Sequence, residues 1–276
     1  MTTADLHIHT NFSDGKSKPE EILEMAKEKR LNVFSIADHD NIGGYLYLKD
    51  IIGKDDPELI PGVELSAGQG NEYIHILGYF FDPASYELTS ALKQFRDKRN
   101  QRGAEMLNKL KEQGINIPLE LVIEFAGHSA IGRPNIADAL VMTGAVNNFS
   151  EAFDKYIGYG CPAYVSKFNI TPREAIELIH RAKGLAILAH PGIAGAGQHI
   201  DEFIGFGLDG IEAYHPMHNN RLQNNYKKYA IKKGILFTGG SDFHGRQGKY
   251  GQIGSVSLPD DMLTLMKDRL SKSDRG

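Results

Sequence analysis

Short apolar runs alternate along this chain with longer stretches in which apolar residues recur every three or four positions. Seven runs read as strands, at residues 5–10, 32–37, 58–65, 73–79, 185–189, 210–213 and 236–240. Helical patterns fit between several of them. The segment 19–29 opens with Pro19, has Ser17 as its expected N-cap, and places Glu20 and Glu21 in the first turn, where acids complement the helix dipole. Thr171-Pro172-Arg173-Glu174 opens a second helix, with Thr171 as cap, Pro172 at the first helical position and Glu174 completing a capping box. Segments 219–233 and 260–270 read as two more. Strands alternating with helices predict parallel βα units.

The alternation fails between about residues 84 and 162. That stretch reads as mostly helical, broken at Gly114, Pro118, Gly132-Arg133-Pro134 and Gly144. The expected organisation is therefore a discontinuous α/β barrel, residues 1–85 and 163–276. A helical insertion at 86–162 is expected to lie over one face of it. No internal repeat and no low-complexity segment interrupts this pattern.

Composition narrows the function classes. The chain has 276 residues, 41% hydrophobic and 24% charged, as an ordinary globular protein does. Its net charge is −4, which argues against binding long duplex nucleic acid. A small phosphorylated substrate stays open, because bound metals supply positive charge locally. A single cysteine, Cys161, rules out a disulfide framework within the chain. No apolar run approaches the ~20 residues of a membrane span. The start runs directly into Ala4-Asp5-Leu6-His7 without signal-peptide character, so a cytoplasmic enzyme is expected.

The chemistry lies in nine side chains that bind hard or borderline metals: His7, His9, Asp14, His39, Glu64, His75, His190, Asp242 and His244. His7 and His9 are two apart on one predicted strand and so point the same way. Two neighbouring imidazoles need a shared partner, for which a divalent cation is suited. His39, His190 and Asp242 follow predicted strands, and Glu64 is read as ending one. In a parallel barrel those strand ends form the catalytic face. A lone histidine is more often structural or solvated; five segments carrying ligand types at strand ends change that balance. With nitrogen and oxygen donors and no thiolate, the set suits manganese first, with zinc or iron as the other candidates. Nine ligands suffice for two to three ions.

The motifs His7-x-His9 with Asp14, Ala37-Asp38-His39-Asp40, Pro61-Gly62-Val63-Glu64, His75, Ala189-His190-Pro191 and Ser241-Asp242-x-His244 together resemble the PHP (polymerase and histidinol phosphatase) family of metal-dependent phosphoesterases. They span residues 7 to 244. The resemblance implies a distorted (β/α)7 barrel with a trinuclear site. One ion would take His7, His9, Glu64 and Asp242. A second would share Glu64 and add His75 and His190, and a third would take Asp14, His39 and His244. Asp38 and Asp40 are read as partners that orient imidazoles.

The insertion points to phosphate. A predicted helix over 86–113 has an apolar seam at Leu88, Leu92, Phe95, Met106 and Leu110, and Arg99 and Arg102 fall in the gap of that seam. Snorkelling stems that reach Asp97 or Glu105 are the bland reading; an inward pair binding phosphate is the functional one. Ser129, Arg133 and Asn135 flank a glycine turn at a helix start, a place that attracts anions, and Lys167 is a further candidate cation. Ile131-Gly132-Arg133-Pro134 and Pro162-Ala163-Tyr164-Val165 resemble the branch of the family that removes the 3′-phosphate of nucleoside 3′,5′-bisphosphates such as adenosine 3′,5′-bisphosphate. Related members of that branch trim short RNA from its 5′ end. That branch commonly has histidine where this chain has Asn135. Tyr214-His215-Pro216-Met217-His218 resembles the branch's Tyr-x-Pro-x-His segment, which makes His218, and less so His215, candidates to bind substrate or protonate the leaving oxygen. The expected partner is a nucleotide or short oligonucleotide. The rival readings are a histidinol phosphatase or other phosphomonoesterase, and a metal-binding interaction module without catalysis.

Overall fold

The computed structural model describes residues 3–70, 72–166, 170–193, 195–245, 251–256, 258–259 and 261–273. Two compact units divide the chain, Met1–Ser90 with Asn169–Gly276, and Ala91–Phe168. In the first unit, seven strands form one sheet in sequence order: β1 (Ala4–Ile8), β2 (Val33–Ile36), β3 (Glu58–Gln69), β4 (Glu72–Tyr79), β5 (Leu185–Leu188), β6 (Gly210–Tyr214) and β7 (Leu236–Gly239). The sheet curls until its first and last strands meet. Beyond β7, Phe243 bridges to Ile8, and the His9 N–H donates to the Phe243 carbonyl at 2.9 Å. The result is a distorted seven-stranded barrel, as the resemblance implied.

One part of the expected topology is corrected. β1–β2–β3 and β5–β6–β7 pair in parallel, but β4 runs antiparallel to both β3 and β5. β3 and β4 form a long hairpin, so β3 continues to Gln69 and Glu64 lies in its middle rather than at its end. Ser66 faces His75 across that hairpin. Glu64 shares a face with Ser66, and His75 therefore projects toward Glu64 from mid-strand.

The helices of this unit include the expected ones and two that were not read from the sequence, Gly43–Ile51 and Ile200–Gly205. They are α1 (Pro19–Glu28), α2 (Gly43–Ile51), the start of α3 (Tyr86–Glu112), and then α7 (Pro172–Arg181), α8 (Ile200–Gly205), α9 (Asn220–Lys233) and α10 (Met262–Ser273). The N-cap of α1 is Lys18, not Ser17, because Pro19 takes the first helical position and the cap must directly precede it. The Glu21 carboxylate accepts the Lys18 N–H at 2.8 Å. Thr171 caps α7 as expected: its hydroxyl accepts the Glu174 N–H, and Glu174 accepts the Thr171 N–H at 2.7 Å. Asn219 caps α9 through the Leu222 N–H. Asp260, the expected start of α10, lies outside the described residues.

Strands β1, β2, β5 and β7 are buried on both faces. Ile8, Phe34 and Ile36 pack with Ile22, Leu23 and Ala26 of α1 and with Tyr45 and Leu48 of α2. One buried carboxylate ties the ends of this unit together. Asp5 accepts from the Ser241 N–H at 2.8 Å and the Gly254 N–H at 2.9 Å, while burial pushes its pKa up. The second unit holds the rest of α3, then α4 (Leu119–Ala126), α5 (Arg133–Met142) and α6 (Phe149–Ala152), which passes into one wide π turn over Phe153–Ile157. Its own core gathers Met106, Leu110, Val122, Ile136, Leu140 and Ile157. Among the described residues, no helix is long and apolar enough to cross a membrane.

Candidate metal centre

Glu64 is the hub to which the barrel delivers its histidines. It is 1% exposed. Its Oε2 lies 3.4 Å from His7 Nε2, 3.3 Å from His9 Nε2 and 3.0 Å from His39 Nδ1. Its Oε1 lies 3.0 Å from both His75 Nδ1 and His190 Nε2. Five imidazoles, from β1, the turn after β2, β4 and the turn after β5, thus surround one carboxylate. Asp242, just past β7, places Oδ1 3.5 Å from His7 Nε2, 3.3 Å from His9 Nε2 and 3.6 Å from His244 Nδ1. Asp14 places Oδ1 3.2 Å from His244 Nε2 and 3.9 Å from His9 Nδ1. All nine sequence-predicted ligands are therefore brought together.

Short approaches are not the same as satisfied hydrogen bonds. His7 Nε2, His9 Nε2, His39 Nδ1, His75 Nδ1 and Glu64 Oε2 are buried without a well-aligned hydrogen-bond partner. Buried polar atoms are rarely left so, and each costs about 1–3 kcal/mol. Here they converge, which suits divalent cations that would accept all of their lone pairs at once. Potential ligand atoms fall into three groups, each within 4.8 Å: His9, Asp14, His39 and His244; His7, His9 and Asp242; His39, Glu64 and His75. His190 stands beside the last group, on Glu64 Oε1.

The backbone bends sharply to form this cage. His190 has φ 26° and Asp242 has φ 51°, values costly for residues other than glycine. Such strain is a mark of functional positions when the surrounding contacts hold it in place.

Electrostatics oppose burial throughout the cage. Burial would discharge His9, yet the close Asp242 and Glu64 carboxylates, each 3.3 Å from Nε2, outweigh it and raise its pKa to about 10. Burial also opposes charge on His7, but Glu212, Glu64 and Asp242 raise it well above its ordinary value. His75 goes the other way, to about 4, because burial is reinforced by the neighbouring His39 and His190 against the pull of Glu64. Despite burial, the surrounding histidines keep the Glu64 and Asp242 carboxyls well below the usual range. Without metal, then, His7 and His9 hold protons at neutral pH, and entering ions must displace them. Metal affinity is expected to rise with pH up to the His9 range, with proton release on binding. Calorimetry in buffers of different ionisation enthalpy measures that release, and its absence would contradict the assignment.

The remaining predicted residues are placed as follows. Asp38 accepts from the Thr10 N–H at 2.7 Å, the Thr10 hydroxyl at 2.6 Å and the Ser13 hydroxyl at 2.5 Å, and Ser13 Oγ lies 3.4 Å from His9 Nδ1. Its hydrogen-bonded link to an imidazole runs through Ser13. Asp40 accepts the Ser66 N–H at 2.7 Å, pinning β3 beside Glu64. His215 is buried; its Nδ1 accepts the Met217 N–H, which leaves Nε2–H facing Asp242 Oδ2 at 3.3 Å. His218 is also buried. Its Nε2 accepts the Gly192 N–H at 3.1 Å and its Nδ1–H meets the Ala213 carbonyl at 3.0 Å, so both ring nitrogens are engaged by main chain. Burial lowers its pKa.

In the second unit, Arg102 donates through Nε to the Val165 carbonyl at 2.9 Å, and Arg99 is half-buried. The Arg133 guanidinium lies over the Phe153 ring at 5.5 Å and the Tyr164 ring at 6.0 Å. The Ser129 hydroxyl donates to the Ala126 carbonyl at 2.7 Å. The Asn135 side chain accepts the Gly132 N–H and donates to the Phe125 carbonyl. Lys167 lies outside the described residues. Sequence reasoning missed Glu212, a fully buried acid whose Oε1 is 3.0 Å from His7 Nδ1. Its signal was available: a lone carboxylate inside the apolar strand Gly210–Tyr214.

The model of the PHP domain matches residues 5–232. The chain belongs to the PHP family. Two relatives align over most of its length. The 3′,5′-nucleoside bisphosphate phosphatase of Chromobacterium violaceum is 31% identical over 250 residues, covering 88% of each chain. The 5′-3′ exoribonuclease of Haemophilus influenzae is 32% identical over 245 residues, covering 87% of this chain and 89% of its own. Among solved structures, a protein proposed to be a metal-dependent phosphoesterase from Bifidobacterium adolescentis superposes with a TM-score of 0.82 at 28% identity, covering 96% of each chain. With the PHP barrel and its ligand cage, this protein is a metal-dependent hydrolase of phosphate esters.

Proposed function

We propose that this PHP protein removes the 3′-phosphate of nucleoside 3′,5′-bisphosphates, using two to three divalent ions with manganese preferred. The observation that carries the hydrolytic part is the cage around Glu64, where His7 Nε2, His9 Nε2, His39 Nδ1 and His75 Nδ1 are buried without a well-aligned partner among the described residues. His7, His9 and Asp242 would hold one ion; Glu64, His75, His190 and His39 border a second; Asp14, His39 and His244 would hold a third. Divalent ions at such a site polarise the phosphoryl oxygens and lower the pKa of water. The protein's own part is positioning: Asp242 is held by His215, and the turn carrying His190 is held by His218. With both nitrogens of each ring engaged, these two histidines orient the cage.

The substrate class rests on similarity to the Chromobacterium bisphosphate phosphatase and on the cations of the second unit. Arg99, Arg102, Arg133 and Lys167, with Ser129 and Asn135, would receive the 5′-phosphate. The Phe153 and Tyr164 rings flank the Arg133 guanidinium, whose planar fork binds phosphate through two parallel hydrogen bonds. Arg133→Ala is expected to raise KM for adenosine 3′,5′-bisphosphate by roughly 10–100-fold, the loss of one charge-assisted pair, and KM for a simple aryl phosphate hardly at all. Equal effects on both would remove the second unit's cations from the proposed 5′-phosphate site. Likeness to the Haemophilus exoribonuclease favours trimming of short 5′-phosphorylated RNA as the second reading. One panel with Mn²⁺ separates the readings: adenosine 3′,5′-bisphosphate, 3′-AMP, 5′-AMP, histidinol phosphate and a short 5′-phosphorylated RNA. Preference for the bisphosphate is expected. Preference for histidinol phosphate would overturn the substrate class, and no turnover of any ester would leave only the binding-module reading.

A further inference from the structure

Glu212 stands behind the nine ligands rather than among them. It is 0% exposed, and its two oxygens go to two different ligand segments. Oε1 lies 3.0 Å from His7 Nδ1 on β1, and Oε2 accepts the His190 N–H at 2.8 Å in the turn after β5. We propose that Glu212 is a positioning residue that presents His7 Nε2 and the His190 ring to the ions and couples these two parts of the cage.

Three features carry this. A carboxylate only accepts hydrogen bonds, so Glu212 fixes the hydrogen of His7 on Nδ1 and leaves the Nε2 lone pair for metal. That Nε2 faces Glu64 and Asp242 and has no well-aligned protein partner. Secondly, His190 sits at φ 26°, which a non-glycine residue adopts only under restraint. The bond to its N–H supplies restraint at that residue. Thirdly, the His7 and His190 rings lie nearly parallel, with centroids 5.9 Å apart and planes 19° apart, so both present an edge to the same Glu64 carboxylate. One carboxylate thereby sets the orientation of two ligands that Glu64 also touches from the opposite side.

The inference rests on His7 and His190 being ligands, and its test needs no substrate. Glu212→Gln keeps the volume but offers one acceptor oxygen for two donors. Glu212→Asp keeps the charge but is one methylene too short to reach both partners. Mn²⁺ titration calorimetry and elemental analysis read affinity and ion count, and scanning calorimetry of metal-free protein reads the fold. Both variants are expected to bind at least one ion roughly 10–100-fold more weakly, with the metal-free Tm within a few degrees of the parent. Wild-type affinity in both variants would overturn the inference. So would full affinity in Glu212→Asp alone, because charge without placement would then suffice. A fallen metal-free Tm with unchanged affinity in the folded fraction would show a purely structural role and overturn it too. Should the parent protein itself bind no ion, the ligand assignment fails, which is a separate result.

Discussion

Replacing Glu64 by glutamine is expected to cut phosphate-ester turnover roughly a thousandfold, about 4 kcal/mol in the barrier, through loss of bound metal. The size follows from its position. One carboxylate approaches five imidazoles at 3.0–3.4 Å. Glutamine has nearly the same shape, but it brings no charge, and its amide nitrogen would point a donor at nitrogens that must offer lone pairs. No neighbour replaces it, since Asp242 lies on the His7–His9–His244 side and the hydrogen bonds of Asp40 include one to the main chain of β3. Steady-state rates at saturating Mn²⁺, with elemental analysis of the same sample, measure the effect. A variant with full ion content and turnover within tenfold of the parent would show that Glu64 is a spectator.

The second large effect is structural and reaches the site through the barrel seam. Alanine at position 240 would place its Cβ 2.3 Å from His7 Cβ, 2.4 Å from His7 N and 2.8 Å from His7 Cα. These are fixed atoms of β1, so no side-chain rotation relieves the clash. Gly240→Ala is expected to cost about 3 kcal/mol by the scale of overpacked cores. That lowers Tm by roughly 6–12 °C for a chain of this size. Mn²⁺ affinity should fall with it, because His7 is the residue displaced. Gly205→Ala is the control: a Cβ there meets nothing within 4 Å, and Tm should hold or rise slightly. An unchanged Tm in Gly240→Ala would mean that the strand can back away from its neighbour at no cost.

Much of this architecture could be read from the residues, for identifiable reasons. Strand positions were legible because apolar runs such as Leu185–Leu188 and Leu236–Gly239 are short and sharply bounded. Direction was not, since an apolar run looks alike from either end. The hairpin of β3 and β4 did leave a trace in Gly70-Asn71, a two-residue link of hairpin type between strand-like runs. The helix start at Thr171 was legible because cap, proline and Glu174 all act locally; at α1 the proline at position 19, not the nearby serine, decided the cap. The ligands were legible as a set because nine metal-binding side chains within or just after buried strands and in one nearby turn have few other uses. The roles of Glu212 and Asp5 were not, because they depend on partners 205 and 236 residues away, at His7 and Ser241. For Asn135 and Ser129, residue type suggested phosphate, while their side chains also bond local main chain at a helix start and a helix end.

The same contacts explain why the site tolerates its own charge. Carboxylates and imidazoles packed this closely are costly to bury unless each charge is matched. The protein matches them partly by protons on His7 and His9, and cations take that place when bound. Asp5, Asp38 and Glu212 brace the cage from behind, each bonded to main chain or hydroxyls as well as standing near a ligand strand.

Elemental analysis of active protein purified without chelator addresses the convergence of these nine side chains most directly. Two to three transition ions per chain are expected, falling in step with activity when a chelator is added and returning with Mn²⁺. Full turnover by protein carrying no transition ion would contradict a metal cage at the mouth of this barrel.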